Sequence, residues 1–223
     1  MKRNKTFLTV LMMLYLQLSS AVFAAEQTIQ SPQQDVETIT RELLSTLEKN
    51  IDGYKKNNDA FIVEVDRQLS PVVAFDSIAR GVMGKYSRRA KPEQIEQFSS
   101  VFKNSLISFY GKALLKLDDT RLTIEKVDAV PDAVLSDYKA GKARLVPVDM
   151  TVRTSSGTVA ISYSMVHQDG RWKLRNIIVD GINIGIQFRN QFADAMSKHN
   201  NVQYVVDNWA DIMKGNAAIE DKK

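Results

Sequence analysis

The chain has 223 residues, no cysteine and a formal net charge of +4. Three of its 30 basic side chains lie in the first 24 residues, which hold no acid, leaving 27 bases against 26 acids in the rest. That near-balance removes the charge argument for nucleic-acid binding, and without cysteine the fold is held by its hydrophobic core alone.

The first 24 residues read as an export signal. Lys2, Arg3 and Lys5 give a positive start, Phe7 to Leu18 is almost continuously apolar, and Val22-Phe23-Ala24 sets small residues for cleavage after Ala24. The apolar run is short for a membrane span, and no cysteine follows it to take a lipid. The mature chain is therefore expected to be exported and soluble.

After a polar lead-in, Ser31-Pro32 starts a helix, with Ser as cap and Pro at the first position. Val36, Ile39, Leu43, Leu44, Leu47 and Ile51 carry its apolar stripe, and Gly53 with the polar stretch to Asn58 is expected to end it. A second helix is expected from about Asp59 to Leu69, broken by Pro71, and a third over Phe75–Met83 with Gly84 at its C-terminal end. Pro92-Glu93 opens the longest helix, whose stripe is Ile95, Phe98, Phe102, Leu106, Phe109, Ala113 and Leu117, with Asp118-Asp119-Thr120 as its stop.

From there the apolar period switches to two. Leu122 and Ile124 begin a strand, and Val146, Val148, Met150 and Val152 alternate. After Ser155-Ser156-Gly157, so do Val159, Ile161, Tyr163 and Met165. Asp169-Gly170 signals a hairpin into a last strand over about Trp172–Val179, which completes an antiparallel meander with one buried face. Pro147 inside a strand predicts an edge or a bulge there. Two helices follow, one on Ile184, Phe188, Phe192 and Met196 and one on Val202, Val205, Val206, Trp209 and Ile212, ending at Gly215. The expected organisation is one α+β domain over residues 25–215, helical over about 31–117 and 183–214 with the sheet over about 121–180, and then a polar tail over 216–223.

Catalytic chemistry leaves little trace. There are two histidines, His167 and His199, at unrelated places, no Gly-x-Gly fingerprint and no Gly-x-Ser-x-Gly elbow. Asp76 and Asp180 are the carboxylates that a pocket isomerase would use; each also reads as a helix or turn cap. The apolar alternation of the strands and the Phe stripe of the long helix suit either a solid core or the walls of a cavity. Arg80, Lys85, Arg88, Arg89 and Lys91 form a basic cluster that is either a solvated face or a rim for phosphate groups.

Two blocks are more specific as a set. The first carries Phe75-Asp76, Ile78-Ala79-Arg80, Gly84-Lys85-Tyr86, Arg89-Ala90 and Pro92-Glu93-Gln94, followed by Phe98, Phe102 and Tyr110. The second carries Tyr163, Asp169-Gly170, Trp172-Lys173, Asp180-Gly181, Arg189 and Gln191-Phe192. Together they resemble the MlaC family of soluble periplasmic phospholipid carriers, over nearly the whole mature chain. The chain departs from the family's frequent Glu-Gly-Val-Ser at Asp180-Gly181-Ile182-Asn183 and from its frequent Tyr-Ala at Tyr110-Gly111.

The resemblance implies a twisted antiparallel sheet of about four strands, related to NTF2-like domains, packed against six to seven helices with an apolar cavity between. It implies a carrier with glycerophospholipid as cargo, no cofactor, no metal and no catalytic residue. The acyl chains would lie against Phe75, Ile78, Val82, Met83, Phe98, Phe102, Leu106, Phe109, Val148, Met150, Val152, Val159, Ile161, Tyr163, Met165, Ile178 and Ile184. Arg80, Lys85, Arg88 and Arg89 would form the head-group rim. The partners implied are an outer-membrane lipoprotein–porin complex and an inner-membrane ABC transporter with a lipid-binding ring, in the upkeep of outer-membrane lipid asymmetry and toluene tolerance. The energetics suit a carrier: at ~0.8 kcal/mol per methylene, two sixteen-carbon chains amount to roughly 25 kcal/mol of exposure to shield. A pocket for both would be on the order of 1,000 Å3.

Overall fold

The computed structural model describes residues 31–115, 122–155 and 157–220. The export signal, Leu117, the Asp118-Asp119-Thr120 stop and Ser156 lie outside the described residues. Helix α1 (Pro32–Lys56) begins as its sequence dictates, with Pro at the first turn and the Gln34 side chain accepting from the Ser31 backbone N–H at 3.3 Å. It bends at Asn50, passes Gly53 and ends at Lys56, inside the polar stretch expected to stop it. One glycine costs a helix only about 1 kcal/mol. Asn57 is the effective stop, since its N–H donates to the Gly53 carbonyl and its side chain caps α2 (Asn58–Leu69) by accepting from Ala60 N–H.

Helix α3 (Phe75–Met83) follows the expected bounds and ends at Gly84, whose φ of +55° suits glycine. Gly84–Arg88 then form a short 3-10 turn before α4 (Pro92–Leu115). Asp76 does not cap α3 as the sequence suggested. It sits one residue inside the helix and accepts a hydrogen bond from the Ser99 hydroxyl of α4, tying the two helices together.

Strands β1 (Thr123–Val127), β2 (Val146–Thr154), β3 (Gly157–Gln168), β4 (Arg171–Val179) and β5 (Ile182–Asn183) form one antiparallel meander in chain order. The two-residue β5 is the strand beyond the four expected. Asp169 (φ 54°) and Gly170 (φ 78°) make the tight turn between β3 and β4. Pro147 sits where β2 is locally an edge. Strand β1 pairs with β2 only from Met150 to Arg153, so no donor is needed on that side at Pro147.

Helix α5 (Asp132–Lys139), between β1 and β2, was not expected. The last helical segment is also divided, into α7 (Val202–Asp207) and α8 (Trp209–Glu220), after α6 (Ile184–His199). Asn208 makes the break, with its side-chain amide donating to the Tyr204 carbonyl. Helix α8 passes Gly215, where a stop was expected, and reaches Glu220. The Ala217-Ala218 pair beyond favours continuation.

Three apolar clusters hold these elements. An aromatic hub joins α3, α4, α6, α7 and α8 around Phe98, Phe102, Phe188, Phe192 and Trp209, with Phe98 edge-on to Phe192 and Trp209 at 5.0 and 5.2 Å between ring centres. A second cluster packs α1 and α2 on α4 through Phe61, Val65 and Ile107. The third covers the apolar face of β2 and β3 with Val36 of α1 and Val134, Leu135 and Tyr138 of α5.

Candidate functional site

Pairing register decides which strand residues share the apolar face. Val148, Met150 and Val152 lie opposite Tyr163, Ile161 and Val159, and Tyr163 and Ile161 lie opposite Ile177 and Val179 of β4. The β3–β4 ladder is irregular between Ser164 and Met165: Ser164 pairs with Asn176 and Met165 with Leu174, so Arg175 is an extra residue. The bulge switches the alternation of β4. Leu174, Ile177 and Val179 face the same way, while Ile178 pairs with Ser162 on the opposite face.

In front of Ile177 and Val179, and of the part of Leu174 not packed on the sheet cluster, the face meets open space. An apolar pocket of about 370 Å3 lies there, between β4 and the helices. Its described walls are Leu43 of α1, Val65 and Leu69 of α2, Val73, Phe75 and Ile78 at α3, Phe102, Leu106, Ile107, Tyr110 and Gly111 of α4, and Ile184, Gly185 and Phe188 of α6, with Arg175 and Asn176 beside the strand residues. Tyr110 is 45% exposed and stands at the mouth. Asn176 braces the rim by accepting at Oδ1 from the Gly185 backbone N–H at 3.2 Å. A side chain at Gly185 would run into that oxygen, so glycine is needed there for close approach.

The residues singled out in the sequence fall into separate places. Phe75, Ile78, Phe102, Leu106 and Ile184 line the pocket. Val82, Met83 and Phe98 are buried in the aromatic hub, and Phe109 packs at its edge against Tyr110. Val148, Met150, Val152 and Met165 are buried in the sheet cluster, with Ile161 and Tyr163 packed on it. Val159 is half-buried opposite Val152, and Ile178 faces away from the pocket. Burial pushes the Tyr163 phenol up to about 12, with Thr40 of α1 opposing.

The basic cluster sits apart. Lys85, Arg88 and Arg89 are exposed and line a concavity of their own with Tyr86, which shares no described residue with the apolar pocket; Arg80 is exposed on α3. Neither acid candidate lines the pocket. Asp76 is engaged with Ser99, and Asp180, in a left-handed turn, accepts from the Ala160 backbone N–H. Among the described residues no group of three His, Asp or Glu side chains could hold a metal, and no helix is long and apolar enough to cross a membrane.

The sequence reading missed most of the strand wall and the α1–α2 wall. The signal for the strand wall was weak: Leu174, Ile177 and Val179 are apolar, but they follow a regular alternation only once the bulge at Arg175 is known.

The family model for the MlaC protein matches residues 37–211. The chain belongs to the MlaC family. A curated relative, the toluene tolerance protein ttg2D of Pseudomonas putida, is 40% identical over 184 residues, which is 81% of this chain and 80% of that protein. Among solved structures, a phospholipid-binding protein from Ralstonia solanacearum, in complex with a phospholipid, is similar with a TM-score of 0.67 and 26% identity, over 83% of this chain and 98% of that one. This MlaC chain thus shares its architecture, a meander packed on helices, with a lipid-bound relative.

Proposed function

We propose that this chain is an exported, non-enzymatic carrier that holds glycerophospholipid by its acyl chains in the pocket between β4 and the helices. The observation that carries the reading is a hydrocarbon-walled pocket in a chain of this family, whose solved relative is described with a phospholipid bound. Burying the tails supplies the affinity, and no acid–base pair is needed.

The pocket volume of about 370 Å3 lies at the low end of ligand sites and well under that expected for two chains. Loading a diacyl lipid therefore widens it. Helices α1 and α2 are the walls best suited to yield, since they are held on α4 by the small Phe61, Val65 and Ile107 cluster rather than by the aromatic hub.

The cargo would be exchanged with an outer-membrane lipoprotein–porin complex and an inner-membrane ABC transporter bearing a lipid-binding ring. The exposed turn with Lys85, Arg88 and Arg89 suits a surface that meets anionic head groups during exchange, since among the described residues no carboxylate pairs with it. Replacing Arg88 and Arg89 by Gln should slow exchange with anionic vesicles severalfold at low salt and much less at high salt. An effect equal at both salts would remove that role.

The test of the main reading is extraction. Protein purified from the compartment to which it is exported should release glycerophospholipid into organic solvent, at a constant molar ratio. Repeated preparations that yield none would refute it.

A further inference from the structure

Among the described residues that line the pocket, Arg175 is the one that carries a charge. It is also the extra residue of the β3–β4 bulge, and it is half-buried. Of the other described arginines, Arg41, Arg67 and Arg153 pair with Glu37, Glu64 and Glu125, Arg189 donates to the Gly81 carbonyl, and Arg80, Arg88, Arg89, Arg144 and Arg171 are exposed to water. The Arg175 guanidinium has no hydrogen-bond or carboxylate partner among the described residues. A partly buried cation without a partner is costly to keep, and a bulge that puts it beside an apolar wall is a feature that re-aims a side chain.

We propose that Arg175 binds the phosphate of the lipid whose tails fill the pocket. The inference rests on the carrier reading above and names the head-group contact within it. The three-methylene stem of arginine can lie along an apolar wall while its charged end reaches toward water. That is the boundary at which the tails of a glycerophospholipid end and its phosphate begins. The guanidinium fork matches two phosphate oxygens at once. Asn176, the next residue, uses its Oδ1 on the Gly185 N–H, which leaves its amide N–H donors for a second contact at the same wall. The exposed turn at Lys85, Arg88 and Arg89 lines a different concavity, so the phosphate of a bound lipid has a cation nearer its tails than that turn.

The test uses the full exported chain, stripped of lipid and offered, in detergent solution, phosphatidylglycerol or diacylglycerol with the same two chains, with bound mass read by native mass spectrometry. The wild type should prefer phosphatidylglycerol. Arg175→Gln should cut that preference roughly ten- to a hundredfold, while diacylglycerol uptake stays as in the wild type. Arg175→Met keeps an apolar stem and drops the charge, and it reads the same loss should the glutamine variant not fold. An unchanged preference in either folded variant overturns the proposal. So does a wild type that takes both lipids equally, which leaves the carrier reading standing. A wild type that takes neither lipid overturns both. Inorganic phosphate that binds the lipid-free protein at Arg175 as tightly as phosphatidylglycerol does would mark a free-anion site and overturn the head-group assignment.

Discussion

Over β2 the apolar face of the sheet is closed, with Val148, Met150 and Val152 packed under Val36 of α1 and the α5 side chains Val134 and Leu135. Over β4 the same face looks across open space, from Leu174, Ile177 and Val179 to Phe102, Leu106 and Ile107 of α4. The side chains on both halves are of one kind. The difference lies in what long-range topology lays against them: the first turns of α1 and the Val134, Leu135 and Tyr138 side of α5 reach the β2 half, whereas the aromatic stripe of α4 packs on α6 and α8. The pocket walls hold large side chains, Phe75, Phe102, Tyr110 and Phe188, beside Gly111 and Gly185, so the cavity is set by how the helices are spaced rather than by side-chain size.

The sharpest way to break this comparison is to put the same charge on each half. Ile177→Arg should abolish lipid loading while the protein stays folded, because the arginine has a pocket to enter and water to reach. Val152→Arg should instead unfold the protein or cost more than about 3 kcal/mol, because that position is buried in a solid cluster. Lipid content by mass spectrometry and urea midpoints read both, and matching outcomes at the two sites would erase the distinction.

A smaller effect sharpens the rim. Gly185→Ala forces the Asn176 side chain away and breaks its bond to the Gly185 N–H. The expected cost is about 1 kcal/mol, visible as a lower melting temperature, together with faster loss of bound lipid. Unchanged lipid release would separate Asn176 from the rim.

The smallest effect belongs to the closed half. The Tyr163 phenol, held neutral by burial, titrates at about 12 rather than at 10.0. The fold therefore favours the protonated phenol. This contribution is complete below pH 10.0 and is lost as the pH rises toward about 12. Tyr163→Phe should change stability at neutral pH by less than about 1 kcal/mol and flatten the alkaline fall in urea midpoint. If the alkaline limb of the mutant matched that of the wild type, another group would be responsible.

Local chemistry made much of the fold legible. Ser31-Pro32, Pro92-Glu93 and Asp169-Gly170 mark their boundaries through residue-specific backbone preferences, and β2 alternates without interruption. Less was legible where a short element lacks a period of its own, as in α5 with Val134, Leu135 and Tyr138, or where one side chain interrupts a helix, as Asn208 does between α7 and α8. At the site, Phe75, Ile78, Phe102, Leu106 and Ile184 were readable because the stripes of three helices point there. Ile177 and Val179 were not, since a single inserted residue in β4 reverses which alternate positions face inward. Nor could any pattern within α1 announce that its first turns lie on the sheet while Leu43 faces a void.

Helix α3 belongs to both territories. Phe75 and Ile78 touch the pocket at one end, while Val82 and Met83 are clamped in the ring cluster at the other, and the Arg189 side chain rests on Gly84 just beyond. A rod of nine residues, about 13 Å long, is thus pinned at its far end by the ring cluster and at its near one by the Ser99 hydroxyl on Asp76 and the Ala74 N–H on the Leu174 carbonyl. A molecule in the pocket would press on a rod held at both ends, and the turn that carries Lys85, Arg88 and Arg89 continues directly from it. A load on Phe75 would then reach the outer turn through a stiff element instead of being absorbed by a loop.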